Sequence, residues 1–165
     1  MDRGEQDLPH PRCPLTLSAS QASAAGARSK KDIDDEQERK NIKAVPTQEY
    51  NAVIAVAQQY ADSLKVGSAD GLAEAFHNDA VMYGFTNGKL LGGSITNLFD
   101  FVRSNGKAPD ITTRLDVLAI TPTTAMVRVD MENDAIGADY NDYLTLIKID
   151  GSWKVIAKVY HQFEG

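Results

Sequence analysis

The chain of 165 residues has one cysteine, Cys13, and three histidines, His10, His77 and His161. A lone thiol excludes an internal disulfide and a cysteine-rich zinc site, so packing alone must hold the fold. The histidines are too scattered for zinc or iron ligation, and no metal or other cofactor is expected. Positive charge is also short, with 17 Lys and Arg against 23 Asp and Glu and a formal net charge of -6. Such a surface lacks the clustered cations that release counterions from a phosphate backbone, so no nucleic acid partner is expected. Dinucleotide fingerprints, phosphate-cradling lysine loops and serine elbows are missing too; Gly88, Gly92 and Gly93 read as turns.

Aromatic residues are absent from the first part of the chain. All six Tyr, five Phe and the one Trp lie at or beyond Tyr50, whereas Pro9, Pro11, Pro14 and Pro46 fall before it. Residues 1–46 carry eight acidic and eight basic side chains, so the whole charge imbalance sits in the remainder. This section is expected to be a disordered or poorly ordered extension, and residues 47–165 one domain. Its apolar stretch around Pro14 to Leu17 is too short to cross a membrane, and the expected location is cytoplasmic. The Arg, Ser and Ala residues between Arg3 and Lys31 leave a cleaved targeting segment as the other reading.

From Thr47, a plausible N-cap, Val53, Val56, Ala57, Tyr60 and Leu64 recur on one helical face up to Gly67. Ser68 begins a short helix through Phe76. Asp79 to Phe85 reads as a strand that turns at Asn87-Gly88 into Lys89 to Leu91, and Ser94 starts a third helix ending at Asn105-Gly106. Ile111–Ile120, Thr124–Asn133, Tyr140–Ile149 and Ser152–Gln162 then read as four strands. Helices first and strands later predict an α+β domain, with three helices on one face of a strongly curved, mainly antiparallel sheet.

A two-residue turn at Asp150-Gly151 aligns Leu146 with Val155, Leu144 with Ala157, Asp142 with Val159 and Tyr140 with His161. This register turns Trp153 inward, brings Asp142 and His161 within reach of each other, and makes them the candidate acid–base pair. The bland alternative is a strand-end cap at Asp142 and a rim hydrogen bond at His161. Tyr60, Tyr83, Phe85, Asp100 and Trp153 are the candidate ligand contacts around a cavity. The same register leaves Tyr143, Ile147, Ile149, Ile156 and Tyr160 outside among Thr145, Lys154 and Lys158, a half-apolar face that predicts a homodimer.

The element order resembles the nuclear transport factor 2-like, or SnoaL-like, cone fold. The run from Asp142 through Asp150-Gly-Ser-Trp153 to His161, with Gly88-Lys-Leu-Leu-Gly-Gly93, resembles the "putative lumazine-binding" branch over Gln48 to His161. The resemblance implies a small organic ligand, such as a flat ring compound, in an apolar, aromatic-lined cone. Related branches imply the alternative, a metal-free isomerase, cyclase or dehydratase. In ketosteroid isomerases a helix tyrosine and paired carboxylates act on a ketone; Tyr60 is similarly placed, but the carboxylate pair has no secure match. Asp142 with His161 is more similar to the acid–base groups of some cyclases and dehydratases.

Overall fold

The computed structural model describes residues 45–163. The expected extension over residues 1–46 therefore lies almost wholly outside the described residues. Three helices, α1 (Thr47–Val66), α2 (Ala69–Ala75) and α3 (Thr96–Asn105), accompany six strands. These are β1 (Phe76–Thr86), β2 (Lys89–Ser94), β3 (Thr112–Ile120), β4 (Thr124–Glu132), β5 (Tyr140–Ile149) and β6 (Ser152–Gln162).

Local chemistry sets the ends of the elements. Gly67 closes α1 in the left-handed region at φ 71°, where glycine carries no Cβ penalty. Ser68 caps α2 by accepting a hydrogen bond from the Gly71 amide at 3.0 Å. Pro46, rather than Thr47, is the N-cap of α1, and Phe76 opens β1 instead of ending α2. Asn87-Gly88 and Asp150-Gly151 both take positive φ, as two-residue hairpin turns demand.

The strands form one sheet in the order β2-β1-β6-β5-β4-β3. Every pairing is antiparallel except β1 with β6, which is parallel. The fold is thus α+β with a mixed, mainly antiparallel sheet. The sheet is open and not strongly curled, which corrects the strong curvature expected from the sequence. Val127, Val129, Leu144, Leu146 and Val155 are fully buried on one face and share a core with Val53 and Ala57 of α1 and Leu72 of α2. Truncating Leu72, Leu144 or Leu146 to alanine costs about 2–5 kcal/mol.

Register decides which side chains look inward. The β5–β6 hairpin starts as expected, with Leu146 opposite Val155, but the next pairs are Thr145 with Ala157, Leu144 with Lys158 and Asp142 with Tyr160. Ile156 is left unpaired, a β-bulge that reverses the parity of everything after it in β6. Lys158 and Tyr160 consequently turn inward and are buried, while Val159 and His161 turn outward. The expected alignments of Leu144 with Ala157, Asp142 with Val159 and Tyr140 with His161 are corrected accordingly.

Glu49, in the first turn of α1, ties this hairpin to the helix. Its carboxylate accepts from Lys148 Nζ at 2.7 Å and from Trp153 Nε1 at 2.8 Å. Those two hydrogen bonds, the Lys148 bond first, hold the Glu49 carboxyl below its usual range. A carboxyl depressed in the folded state stabilises it above the unfolded-state value, and that contribution is lost as pH falls through the folded one. Glu49→Gln should lower the melting temperature at neutral pH, and the gap from the unsubstituted protein should close on acidification below the ordinary carboxylate range. Thermal melts of both proteins over an acid pH series would check this, and a gap that stays constant with pH would contradict it.

Candidate functional site

Asp142 is completely buried, on β5, with the inward side chains of β4 and β6 beside it. Isolating a carboxylate from water is costly unless each oxygen is bonded, and here both are. Tyr60 of α1 donates its hydroxyl to Oδ2 at 2.6 Å. Lys158 of β6 donates Nζ to Oδ1 at 2.7 Å, with its side chain only 5% exposed. Its ammonium also lies 4.4 Å from the Tyr160 ring centroid and 6.0 Å from that of Tyr60. Burial first, and then the Asp142 charge, push the Tyr60 hydroxyl well above its ordinary value, so it stays a neutral donor at physiological pH.

The three groups stand on the wall of a cavity of about 390 Å³, within the size range of small-ligand sites. The remaining wall is mostly apolar, with Met82 of β1, Leu91 of β2, Leu98, Phe101 and Val102 of α3, and Met131 of β4. Tyr140, Tyr160, Asp134 and Gln162 add polar tips. Burial first, and then the charge of the Asp134 carboxylate, raise the Tyr140 hydroxyl far above its usual range. The Tyr160 ring lies over Gly84, where an added Cβ would fall 2.5 Å from ring atoms, so glycine makes room for this wall.

Of the residues singled out from the sequence, Tyr60 and Asp142 are brought together here. His161 is not: it lies exposed on the other face of the sheet with its ring against Phe163, and the expected Asp142–His161 pair is corrected by the bulge at Ile156. Tyr83 and Phe85 are 47% and 52% exposed on the outer face, because Met82, Gly84 and Thr86 take the inward positions of β1. Gly92 makes room for the Tyr83 ring there, since a Cβ would overlap it. Asp100 is exposed and paired with Arg103 at 2.9 Å, away from the cavity lining. Trp153 is buried beside Glu49 and does not line the cavity. Lys158, Tyr140 and Tyr160 were missed as site residues. For Lys158 and Tyr160 the signal was the unbroken apolar triplet Val155–Ala157, which interrupts strict alternation and is where the bulge falls; Tyr140, on β5, already shared the inward parity of Asp142.

Residues 48–161 match the family described as "Putative lumazine-binding". The chain belongs to that family. Among curated relatives of this lumazine-binding family member, it is 41% identical over 121 residues to "Aldolase FrzH" of Cladobotryum sp., covering 73% of this chain and 97% of the relative. Among solved structures it resembles an NTF2-like protein of unknown function from Shewanella baltica OS155. That similarity has 28% identity, a TM-score of 0.69, and coverage of 74% of this chain and 100% of the other. A second NTF2-like protein of unknown function, from Methylobacillus flagellatus KT, has 30% identity and a TM-score of 0.68, covering 73% and 96% of the two chains. The NTF2-like assignment is thereby shown. Among the described residues, no group of three or more His, Cys, Asp and Glu side chains is placed to hold a metal, and no helix is long and apolar enough to cross a membrane.

Asp142→Ala should leave the Lys158 ammonium buried without its counter-charge, and breaking a buried pair in this way costs about 3–5 kcal/mol. Replacing both partners by apolar residues, Asp142→Leu with Lys158→Met, should recover most of that loss. Urea unfolding of the single and double variants would test the coupling; equal losses that simply add would show that the pair is not energetically joined.

Proposed function

We propose that this domain binds a small, ring-bearing carbonyl compound in the cavity and moves protons at the carbon beside the carbonyl group. The observation that carries this reading is a buried, doubly bonded carboxylate facing an apolar chamber. Packing alone gives no reason to bury such a charge, since an apolar residue of similar volume would be as stable or more so. Membership in the lumazine-binding family and the aldolase name of a relative support ligand binding and carbonyl chemistry.

The geometry suits each group to a role. Lys158 uses one N–H on Asp142 and has others with which to polarise a carbonyl oxygen. Asp142 then accepts the α-proton, and Tyr60, kept protonated by its burial, orients the carboxylate. The resulting enolate or enol can be reprotonated elsewhere, as in an isomerase, or can attack a second carbonyl carbon, as in an aldol reaction.

Phenylacetone is a fitting probe, being a ketone with one aromatic ring. In deuterium oxide the protein should accelerate exchange of its α-protons, read by proton NMR. Asp142→Asn should reduce that acceleration by about 100-fold or more, the usual worth of a positioned general base. A ketone that raises the melting temperature saturably, yet exchanges no faster than in buffer, would leave a binding domain without this chemistry.

We also propose a homodimer through the outer sheet face. Tyr160 and Lys158 are removed from the expected surface, since both turn inward. Tyr83, Phe85, Val159 and Met126 instead join Tyr143 in an exposed apolar band across β1, β6, β5 and β4, continuous with the partly buried Ile147 and Ile156. Large apolar bands of this sort are commonly covered in soluble proteins. Sedimentation equilibrium should give twice the chain mass, and Val159→Lys should shift it to the single-chain mass; a monomer without any substitution would rule the dimer out.

A further inference from the structure

Lys158 is the buried lysine among the described residues, and the fold itself does not ask for it. Lys65 and Lys89 are exposed, and Lys148 is engaged with Glu49. At Lys158 four features coincide: an amine on the cavity wall, a carboxylate oxygen at 2.7 Å able to take its proton, a tyrosine hydroxyl fixing the other carboxylate oxygen, and a setting that leaves the side chain only 5% exposed. Hydrogen-bond donation alone would be served by arginine, which is always charged. A primary amine adds one capacity that arginine lacks, covalent bonding to a carbonyl carbon.

We propose that Lys158 is a nucleophile that forms a Schiff base with the carbonyl substrate. This deepens the proton-transfer reading above and rests on it, replacing polarisation of the carbonyl by Lys158 with covalent attachment. Transfer of the ammonium proton to Asp142 frees the nitrogen lone pair. The nitrogen attacks the carbonyl carbon, the carbonyl π pair moves to oxygen, and Asp142 returns a proton to that oxygen. Asp142 then takes a second proton from the nitrogen of the carbinolamine and passes it to the hydroxyl, which leaves as water as the nitrogen lone pair forms the C=N bond of the iminium. Asp142 next accepts the α-proton, and the C–H electron pair becomes the C=C bond of an enamine as the C=N π pair returns to nitrogen. The enamine carbon bonds to the carbonyl carbon of an acceptor aldehyde or ketone, whose oxygen takes a proton. Water hydrolyses the resulting iminium, releases the product and restores the amine. No oxidant or reductant enters the cycle.

The experiment incubates the folded full chain with phenylacetone and sodium cyanoborohydride, which reduces an iminium to a stable secondary amine. Peptide mass mapping should then find a gain equal to the ketone less one oxygen atom, on the peptide containing Lys158, forming roughly tenfold faster than on exposed Lys65, as expected of an activated amine. Because the label is located in the unsubstituted protein, the result does not depend on a variant folding. Lys158→Arg should lose both the label and the acceleration of α-proton exchange. If exchange is accelerated but Lys158 stays unlabelled, or if Lys158→Arg retains the acceleration, the Schiff base is overturned and the noncovalent proton-transfer reading stands. If phenylacetone binds saturably with neither label nor accelerated exchange, both readings fall.

Discussion

Ile156 has no partner across the β5–β6 hairpin, and the side-chain directions of the rest of β6 follow from that one unpaired residue. Strand side chains alternate strictly, so a single extra residue carries every later side chain to the opposite face. Before the bulge, Trp153 and Val155 pack into the core; after it, Lys158 and Tyr160 do. One strand therefore supplies apolar core at its start and a charged, aromatic wall at its end. The cost is a lost rung in the ladder. What it gains is an amine beside a carboxylate that would otherwise have Val159 as its neighbour.

Asp142 is where three distant parts of the chain converge. Tyr60 comes from the first helix, Asp142 from β5 and Lys158 from β6, so the cluster exists only when the helix layer and the sheet are both in place. The carboxylate has one donor on each oxygen and an open chamber beside it. A buried ion pair adds little to stability compared with a hydrophobic replacement. Stability alone therefore does not account for its presence at the wall of a cavity.

Much of this was legible in the sequence. Helical spacing placed Tyr60 on the inward face of α1, and the turn residues at Asn87-Gly88 and Asp150-Gly151 located two hairpins. Asp142 stood out as an acidic residue in an apolar pattern. The triplet Val155, Ile156 and Ala157 marked a break in alternation but not which residue would go unpaired, because all three are apolar and fit either face. Lys158 was assigned to solvent because the unbulged register put it on the outer face, and the bulge carried it to the inner one. Tyr83 and Phe85 alternate correctly, but alternation identifies a pair of faces without saying which one is inside. Trp153 has an indole N–H whose partner, Glu49, lies 104 positions away, beyond any local pattern.

The chamber is built from two sets of residues that answer to different constraints. Tyr60, Asp142 and Lys158 are locked to one another by short hydrogen bonds, so none can change alone without leaving a charge or a donor stranded. Leu91, Leu98 and Phe101, on β2 and α3, bear no such obligation; they meet the cavity only through shape. Apolar exchanges of similar volume are generally tolerated at low cost. The fold thus separates a polar cluster fixed by its own bonds from an apolar wall whose shape can change without disturbing it.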